Sequence, residues 1–367
     1  MVLNLTEVKD QKEGFLNIEL DAKKLNKKAF TVMCSQFAII LRSGVPISRT
    51  VELIAEKTTD KKLKKMLGSV AEDVEAGRSI SASFKERGGE FLPPNFIETI
   101  RSGEESGNLD KAFDSMYRHY DKQTKIAAKV KSALAYPAFV LVVAIIVVIV
   151  LMIVVVPTFT SIFAEYGAEL PLMTRILIGI SNFFRKYILV IVAVAAGLII
   201  AYKVYGKTEE GKMRFAKWAL KIPVLGNINI LNSASQFANS MTMMLSAGLP
   251  VTKALNVTSK VMTNYFLSTE TGKLVGMVEE GRSVGSGMRE QNVMPAILID
   301  MVAVGEETGE LEDTLNTIAA YYDAELEMAT DAAMKKLEPA ILVGLAGVAG
   351  FIVIAIYMAM FEMYAVM

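Results

Sequence analysis

Pro137 to Pro157 reads PAFVLVVAIIVVIVLMIVVVP, without a single charge. A membrane-spanning helix needs about 20 apolar residues, and this stretch supplies them. Pro339 to Phe361, PAILVGLAGVAGFIVIAIYMAMF, is also uncharged and long enough. A third candidate, Tyr187 to Tyr202, reads YILVIVAVAAGLIIAY and is extended by Phe183, Phe184, Val204 and Tyr205. It spans if Lys203 snorkels to the headgroups. The alternative for each stretch is a buried core helix. Composition favours spans: of 367 residues, 21% are charged and 52% are AVILMFWYC, and mean hydropathy is +0.38. Soluble chains rarely carry that ratio. Lys+Arg and Asp+Glu balance at 39 each, which excludes a generally basic nucleic-acid binder. One cysteine, Cys34, excludes an internal disulfide framework or a cysteine-rich zinc module. One histidine, His119, argues against histidine-built metal sites and triads.

Outward from the spans, positive charge sets the expected topology. Arg118, Lys122, Lys125, Lys129 and Lys131 approach the first span. Lys203, Lys207, Lys212, Arg214, Lys217 and Lys221 follow the second, and Lys335 and Lys336 precede the third. The positive-inside rule then places the amino terminus and residues 206–338 in the cytoplasm. Arg175, Arg185 and Lys186 oppose this but are outnumbered. The stretch MVLNLTEVKDQKEG lacks the apolar core of a secretory signal. The expected organisation is an arm over 1–28, a cytoplasmic helical domain over 29–136, and a span over 137–157. An external loop over 158–182 and a span over 183–205 follow. A second cytoplasmic domain covers 206–338, with a span over 339–361 and an external tail over 362–367.

The two cytoplasmic regions repeat one another. Leu41-Arg42-Ser43-Gly44-Val45-Pro46 matches Leu245-Ser246-Ala247-Gly248-Leu249-Pro250, and Val74-Glu75-Ala76-Gly77-Arg78-Ser79 matches Val278-Glu279-Glu280-Gly281-Arg282-Ser283. Both pairs are 204 residues apart. Gly103-Glu104-Glu105-Ser106-Gly107-Asn108-Leu109 matches Gly305-Glu306-Glu307-Thr308-Gly309-Glu310-Leu311 at 202, as do Tyr120/Tyr322 and Pro137-Ala138/Pro339-Ala340. A two-residue gap near the fourth helix absorbs the difference. Ordered blocks at a fixed period mark a duplication. Two spans between the copies put both on one side of the membrane, so the repeat is direct. Many secondary transporters use inverted repeats, and the spans hold no ionisable residue to mark an ion path.

Each copy reads as six helices. Phe30 to Arg42 is apolar at helical spacing and Gly44 stops it; Pro46 fits the first turn of the next helix. Gly248 and Pro250 repeat this. Gly77 and Gly281 suit left-handed C-caps, and Ser79 and Ser283 suit N-caps. The sixth helix carries the stripe Leu109, Ala112, Phe113, Met116, Tyr117, Tyr120, Thr124, Ala127. At 1.5 Å per residue, Leu109 to Tyr136 reaches about 40 Å, from domain into span. The fold class expected is therefore an all-α membrane protein, with two duplicated cytoplasmic six-helix bundles and three transmembrane helices.

Chemical motifs are few. Gly281-Arg282-Ser283-Val284-Gly285 matches G-x-S-x-G, but a helix precedes it where a nucleophile elbow needs a strand. Gly206-Lys207-Thr208 resembles the end of a Walker A loop, but Ala201 stands where the loop needs glycine. No cofactor or metal site and no enzymatic activity are expected. The Gly-Glu-Glu-x-Gly-x-Leu block is the informative one. Glu104, Glu105, Glu306 and Glu307 lie near helix C-termini, where acid opposes the macrodipole at a cost of roughly 0.3–1 kcal/mol. The offset is either an internal cation, such as Arg42 or Arg78, or a cationic partner or subunit. Glu104, Glu105, Glu306 and Glu307, with Arg78 and Arg282, are the candidate interface residues. Gly44, Pro46, Gly77, Gly107, Gly248, Pro250, Gly281 and Gly309 are the candidate structural ones.

The duplicated S-G-V-P/A-G-L-P, E-x-G-R-S and G-E-E-x-G-x-L blocks, each followed by an exit helix, resemble the integral membrane platform family of type IV pili and type II secretion systems (PilC/GspF). The segment Phe163 to Thr174 is similar to that family's external loop. The resemblance covers about residues 29–364. It implies a protein of the cytoplasmic membrane without catalytic residues. It also implies engagement by a hexameric cytoplasmic ATPase, for assembly or for retraction, and work on pilin subunits beside other inner-membrane components. Members self-associate. A type II secretion or DNA-uptake pseudopilus is the alternative within the family. A small-molecule transporter is the alternative outside it.

Overall fold

The structure is a computed structural model that describes residues 25–151, 153, 157, 158, 161 and 171–366. The arm up to residue 24, part of the expected external loop (including residues 163–170 of its motif) and part of the first span's end lie outside the described residues. Among the described residues the regular structure is entirely helical. The first copy runs α1 (Lys27–Arg42), α2 (Ile47–Lys57), α3 (Lys61–Glu75), α4 (Ile80–Gly88), α5 (Pro94–Glu105) and α6 (Leu109–Val150). Then come α7 (Leu172–Tyr205) and α8 (Glu209–Lys221). The second copy runs α9 (Leu225–Ser246), α10 (Val251–Val261), α11 (Tyr265–Glu279), α12 (Val284–Gln291), α13 (Ala296–Thr308) and α14 (Leu311–Val366).

Helix ends are set by the duplicated punctuation. Asp60 accepts the Lys62 and Leu63 N–H groups at 3.1 and 3.0 Å, and its counterpart Asn264 accepts that of Leu267 at 3.2 Å. Gly44, Gly77, Gly107, Gly248, Gly281 and Gly309 all have φ between 71° and 86°, the region that penalises a Cβ. Pro46 and Pro250 differ from expectation by one position. They stand before their helices, at the N-cap with ψ 146° and 147°, and not in the first turn. The gap in the repeat falls after the fourth helix. A 3₁₀ turn, Gly89–Phe91, follows α4, whereas α12 ends on Asn292 in the left-handed region.

The copies share a backbone plan but not a core. In the first, Phe30, Phe37, Phe84, Phe96 and Phe113 are fully buried together. Phe37 stacks on Phe113 at 4.3 Å, and Phe96 meets Phe30 edge-on at 4.9 Å. In the second, the same positions hold Ala234, Met241, Met288, Leu298 and Leu315, all buried. Flexible methionine fills irregular space that rings leave, and six of the chain's 21 methionines are buried in the second copy. Tyr120 persists as Tyr322, but only Tyr120 has Asn95 to receive its hydroxyl, at 3.0 Å.

Two helices among the described residues, Leu109–Val150 and Leu311–Phe361, are long and apolar enough to cross a membrane. Each runs unbroken through a proline, Pro137 or Pro339, which removes one rung of its ladder. The expected middle stretch lies within the single 34-residue helix α7. On α6 the stripe is shorter than its sequence spacing suggests. Ala112, Phe113, Met116 and Tyr120 are buried, Thr124 touches Thr31 at 3.4 Å, and Ala127 is exposed. Beyond that point α6 leaves the bundle. Farther along, α6, α7 and α14 meet where Ile352 and Ala355 pack with Val148, Met173 and Ile178. There the Thr174 hydroxyl donates to the Ala355 carbonyl at 2.7 Å.

Candidate functional site

The Gly-Glu-Glu block closes the fifth helix of each copy. A Cβ on Gly103 would come within 2.4 Å of the Ala112 Cβ, and one on Gly305 within 2.9 Å of the Thr314 Cβ. These glycines let the fifth helix lie directly against the sixth. Glu104 reaches back to the start of α4, accepting the Ile80 and Ser81 N–H groups at 2.7 and 3.1 Å and the Ser81 hydroxyl at 2.6 Å. Glu306 repeats this on α12 with the Val284 and Gly285 N–H groups at 2.8 and 3.0 Å. The first N–H groups of a helix have no partner within it, and a carboxylate there forms charge-assisted bonds at the positive end of the dipole. Ser79 and Ser283 each cap one more N–H, at 3.2 Å. So one helix end offsets the other, and no cation is needed for the first glutamate of each pair.

The arginines do other work. Arg42 lies 3.6 Å from Asp114, and Arg78 pairs with Asp73 at 3.3 Å and with Glu86. Arg282 pairs with Glu290, the duplicate of Glu86. Glu105 and Glu307 are exposed, and neither makes a hydrogen bond or ion pair among the described residues. After them, Gly107 and Asn108 donate back to the Glu104 and Gly103 carbonyls at 3.3 and 2.7 Å. These two hydrogen bonds close the helix in a Schellman turn and launch α6.

One ion cluster, built on the buried Asp73, breaks the repeat. Asp73 receives Arg87 through two bonds of 2.8 Å. The Arg87 guanidinium, helped by Arg78, holds its carboxyl down to about 2. The second copy has Met277 there. Asp73 continues the α3 stripe Leu63, Met66, Leu67, Val70, and an acid in a core phase was the available signal for a buried carboxylate with a cation at its edge.

A seam joins the copies, and it was not anticipated from the sequence. Asp323 of α14 accepts the Ser235 hydroxyl at 2.6 Å and the Asn239 amide at 3.1 Å, both on α9. It also pairs with Lys122 of α6. Farther along, Lys129 lies 2.8 Å from both Glu327 and Asp331. The contacts advance along both helices together, so α6 and α14 run parallel. The Ser102 hydroxyl donates to the Ala247 carbonyl across the same seam. A cleft of about 300 Å³ lies between the copies, lined by Ser115, His119 and Lys122 on one side and Gln236, Asn239 and Met243 on the other. His119 meets Gln123 at 2.9 Å, and the Gln123 carbonyl accepts from Lys27 at 3.2 Å. Gln123 therefore presents its amide N–H, and His119 Nε2 is the acceptor. Burial pushes the imidazole down to about 4; Asp323 opposes this, and Lys122 and Lys27 add to it.

The pattern of the family described as type II secretion system (T2SS), protein F, matches residues 33–157 and again 237–359. The chain belongs to the type II secretion system protein F family. The two matched stretches start 204 residues apart and end 202 apart, the two offsets of the internal repeat. The chain is 30% identical over 341 residues to the type IV pilus assembly protein TapC of Aeromonas hydrophila, covering 93% of this chain and 82% of the relative. It is 28% identical over 367 residues to the type IV pilus assembly protein PilC of Thermus thermophilus, covering 98% and 89%. It is 25% identical over 335 residues to the type II secretion system protein F of Pseudomonas aeruginosa, covering 91% and 82%.

Two predictions follow from this geometry. Glu104→Ala strips two helix N–H groups of their acceptor and lowers the unfolding free energy of the detergent-purified chain by about 1–3 kcal/mol, whereas Glu105→Ala changes it by under about 0.5 kcal/mol. Equal losses would contradict the cap. For His119, the folded value lies below the ordinary 6.5. As pH falls from 6.5 toward about 4, the unfolded chain takes up a proton that the folded chain refuses, so stability declines across that window. His119→Asn flattens the decline in a plot of Tm against pH, and an unchanged slope would refute the assignment.

Proposed function

We propose that this chain is the integral membrane platform of a type IV pilus assembly machine, turning the motion of a hexameric cytoplasmic ATPase into pilin extraction and filament assembly. The observation that carries it is the pair α6 and α14. Each begins inside a helical copy, runs parallel to the other, and continues without a break into an apolar stretch. A force applied to either copy has a stiff path into the bilayer. The reading places residues 29–136 and 206–338 in the cytoplasm with the amino terminus. It puts spans at 137–157, 183–205 and 339–361 of the inner membrane, and 158–182 and 362–367 outside.

Type IV pilus assembly proteins among the relatives support the pilus over other filaments. Relatives named type II secretion system protein F, 25–28% identical, keep a secretion pseudopilus as the second reading. The expected partners are the assembly or retraction ATPase, pilin subunits, other inner-membrane components and further copies of this chain. The exposed carboxylates of Glu105 and Glu307, which no group among the described residues satisfies, are the better candidates for a cationic partner. Glu104 and Glu306 already hold α4 and α12.

Electron microscopy of a clean deletion strain tests the reading. Surface filaments disappear on deletion and return when the intact gene is restored. Unchanged filaments together with lost secretion would transfer the role to a pseudopilus.

A further inference from the structure

The seam inside the chain uses one face from each copy, and the duplication gives each copy both faces. In the first copy the face holds Ser102, Ser115, His119, Lys122 and Ile126; in the second it holds Gln236, Asn239, Met243 and Ala247. Applying the repeat offsets gives the two faces that the chain leaves open. The counterparts of Ser102, His119 and Ile126 are Val304, Tyr321 and Met328 on α13 and α14. The counterparts of Gln236 and Met243 are Val32 and Ile39 on α1.

Of the nine counterparts these five are large, apolar or aromatic, and exposed; the other four, Ser35, Ser43, Thr317 and Ala324, are small. Ile39 is 61% exposed, Met328 58%, Val304 50%, Val32 49% and Tyr321 42%, whereas Met243, which occupies the Ile39 position in the internal seam, is 8% exposed. Exposed large apolar side chains gathered on a face mark interaction sites.

We infer that the α1 face of one chain, centred on Val32 and Ile39, docks on the α13–α14 face of a second copy, centred on Val304, Tyr321 and Met328, repeating the internal seam between chains. The occupant is a second copy because the open faces are the two halves of an interface the chain already makes with itself. The contact is heterologous, so it closes into a ring if the rotation permits. Both exit helices point the same way across the internal seam, and the repeated contact keeps every chain's spans on one side. This rests on the platform reading, in which the chain self-associates, and adds the surface.

Chains carrying Ile39→Cys and chains carrying Tyr321→Cys, purified full-length, are mixed in detergent, reconstituted in nanodiscs and oxidised. Cys34 is fully buried and does not compete. Mass photometry of the unsubstituted chain is recorded in parallel. The expected result is a covalent dimer from the mixture, little from either variant alone, and a shift of the Ile39→Glu chain to monomer with its helical circular dichroism retained. An oligomer without the mixed cross-link, or one in which Ile39→Cys joins to itself, overturns the surface and leaves self-association standing. A monomeric parent chain overturns both.

Discussion

Asp323 is bound on both sides of the chain's internal seam. Ser235 and Asn239 of its own copy donate to it, and Lys122 comes from the other copy. Its side chain is 11% exposed, so these bonds form largely out of water, where leaving the carboxylate unpaired would be expensive. The relative placement of the two copies depends on this group, and so does the parallel run of α6 and α14. The next ion pairs along the seam differ in kind. Lys129, Glu327 and Asp331 are all well exposed, and such pairs contribute about 0–1 kcal/mol and are screened by salt. The seam is therefore held more firmly at Asp323 than at Lys129.

Within each copy two of the repeated motifs act as one device. The E-x-G-R-S block ends the third helix on a left-handed glycine and caps the fourth with serine. The G-E-E block sends a glutamate back to the same helix start. It brings the fifth and sixth helices into contact at Gly103 or Gly305 and turns the chain into the long sixth helix. The spacing between motifs is constrained because Glu104 and Glu306 must reach a fourth helix more than twenty residues earlier. The core between them is free to change, and it has changed from phenylalanine to methionine and leucine.

The residues reveal the fold wherever the physics is local. Glycines demand positive φ, apolar runs demand a lipid or a core, and two copies of one pattern demand two copies of one plan. Local reasoning also exposes the conflict at Glu104, an acid at a helix C-terminus, but not its resolution. The acceptor's partners are backbone N–H groups, which carry no side-chain signature, and only the packing of α5 against α4 brings them near. The seam was hidden for a related reason. Lys122 and Lys129 read as positive charge before a span, and nothing in the sequence singles out Asp323, Glu327 and Asp331. Their spacings, seven residues on one helix and four on the other, become meaningful only once the helices are known to be parallel neighbours.

The most direct test of the account is the distance between the copies with and without Asp323. Spin labels at Lys57→Cys on α2 and Glu279→Cys on α11, in full-length chains diluted with unlabelled protein in nanodiscs, report it by pulsed electron paramagnetic resonance. One narrow distance is predicted for the otherwise unchanged chain and a broad distribution for Asp323→Ala. A distribution that stays narrow without Asp323, or one already broad with it, would contradict the claim that this carboxylate locks the two copies together.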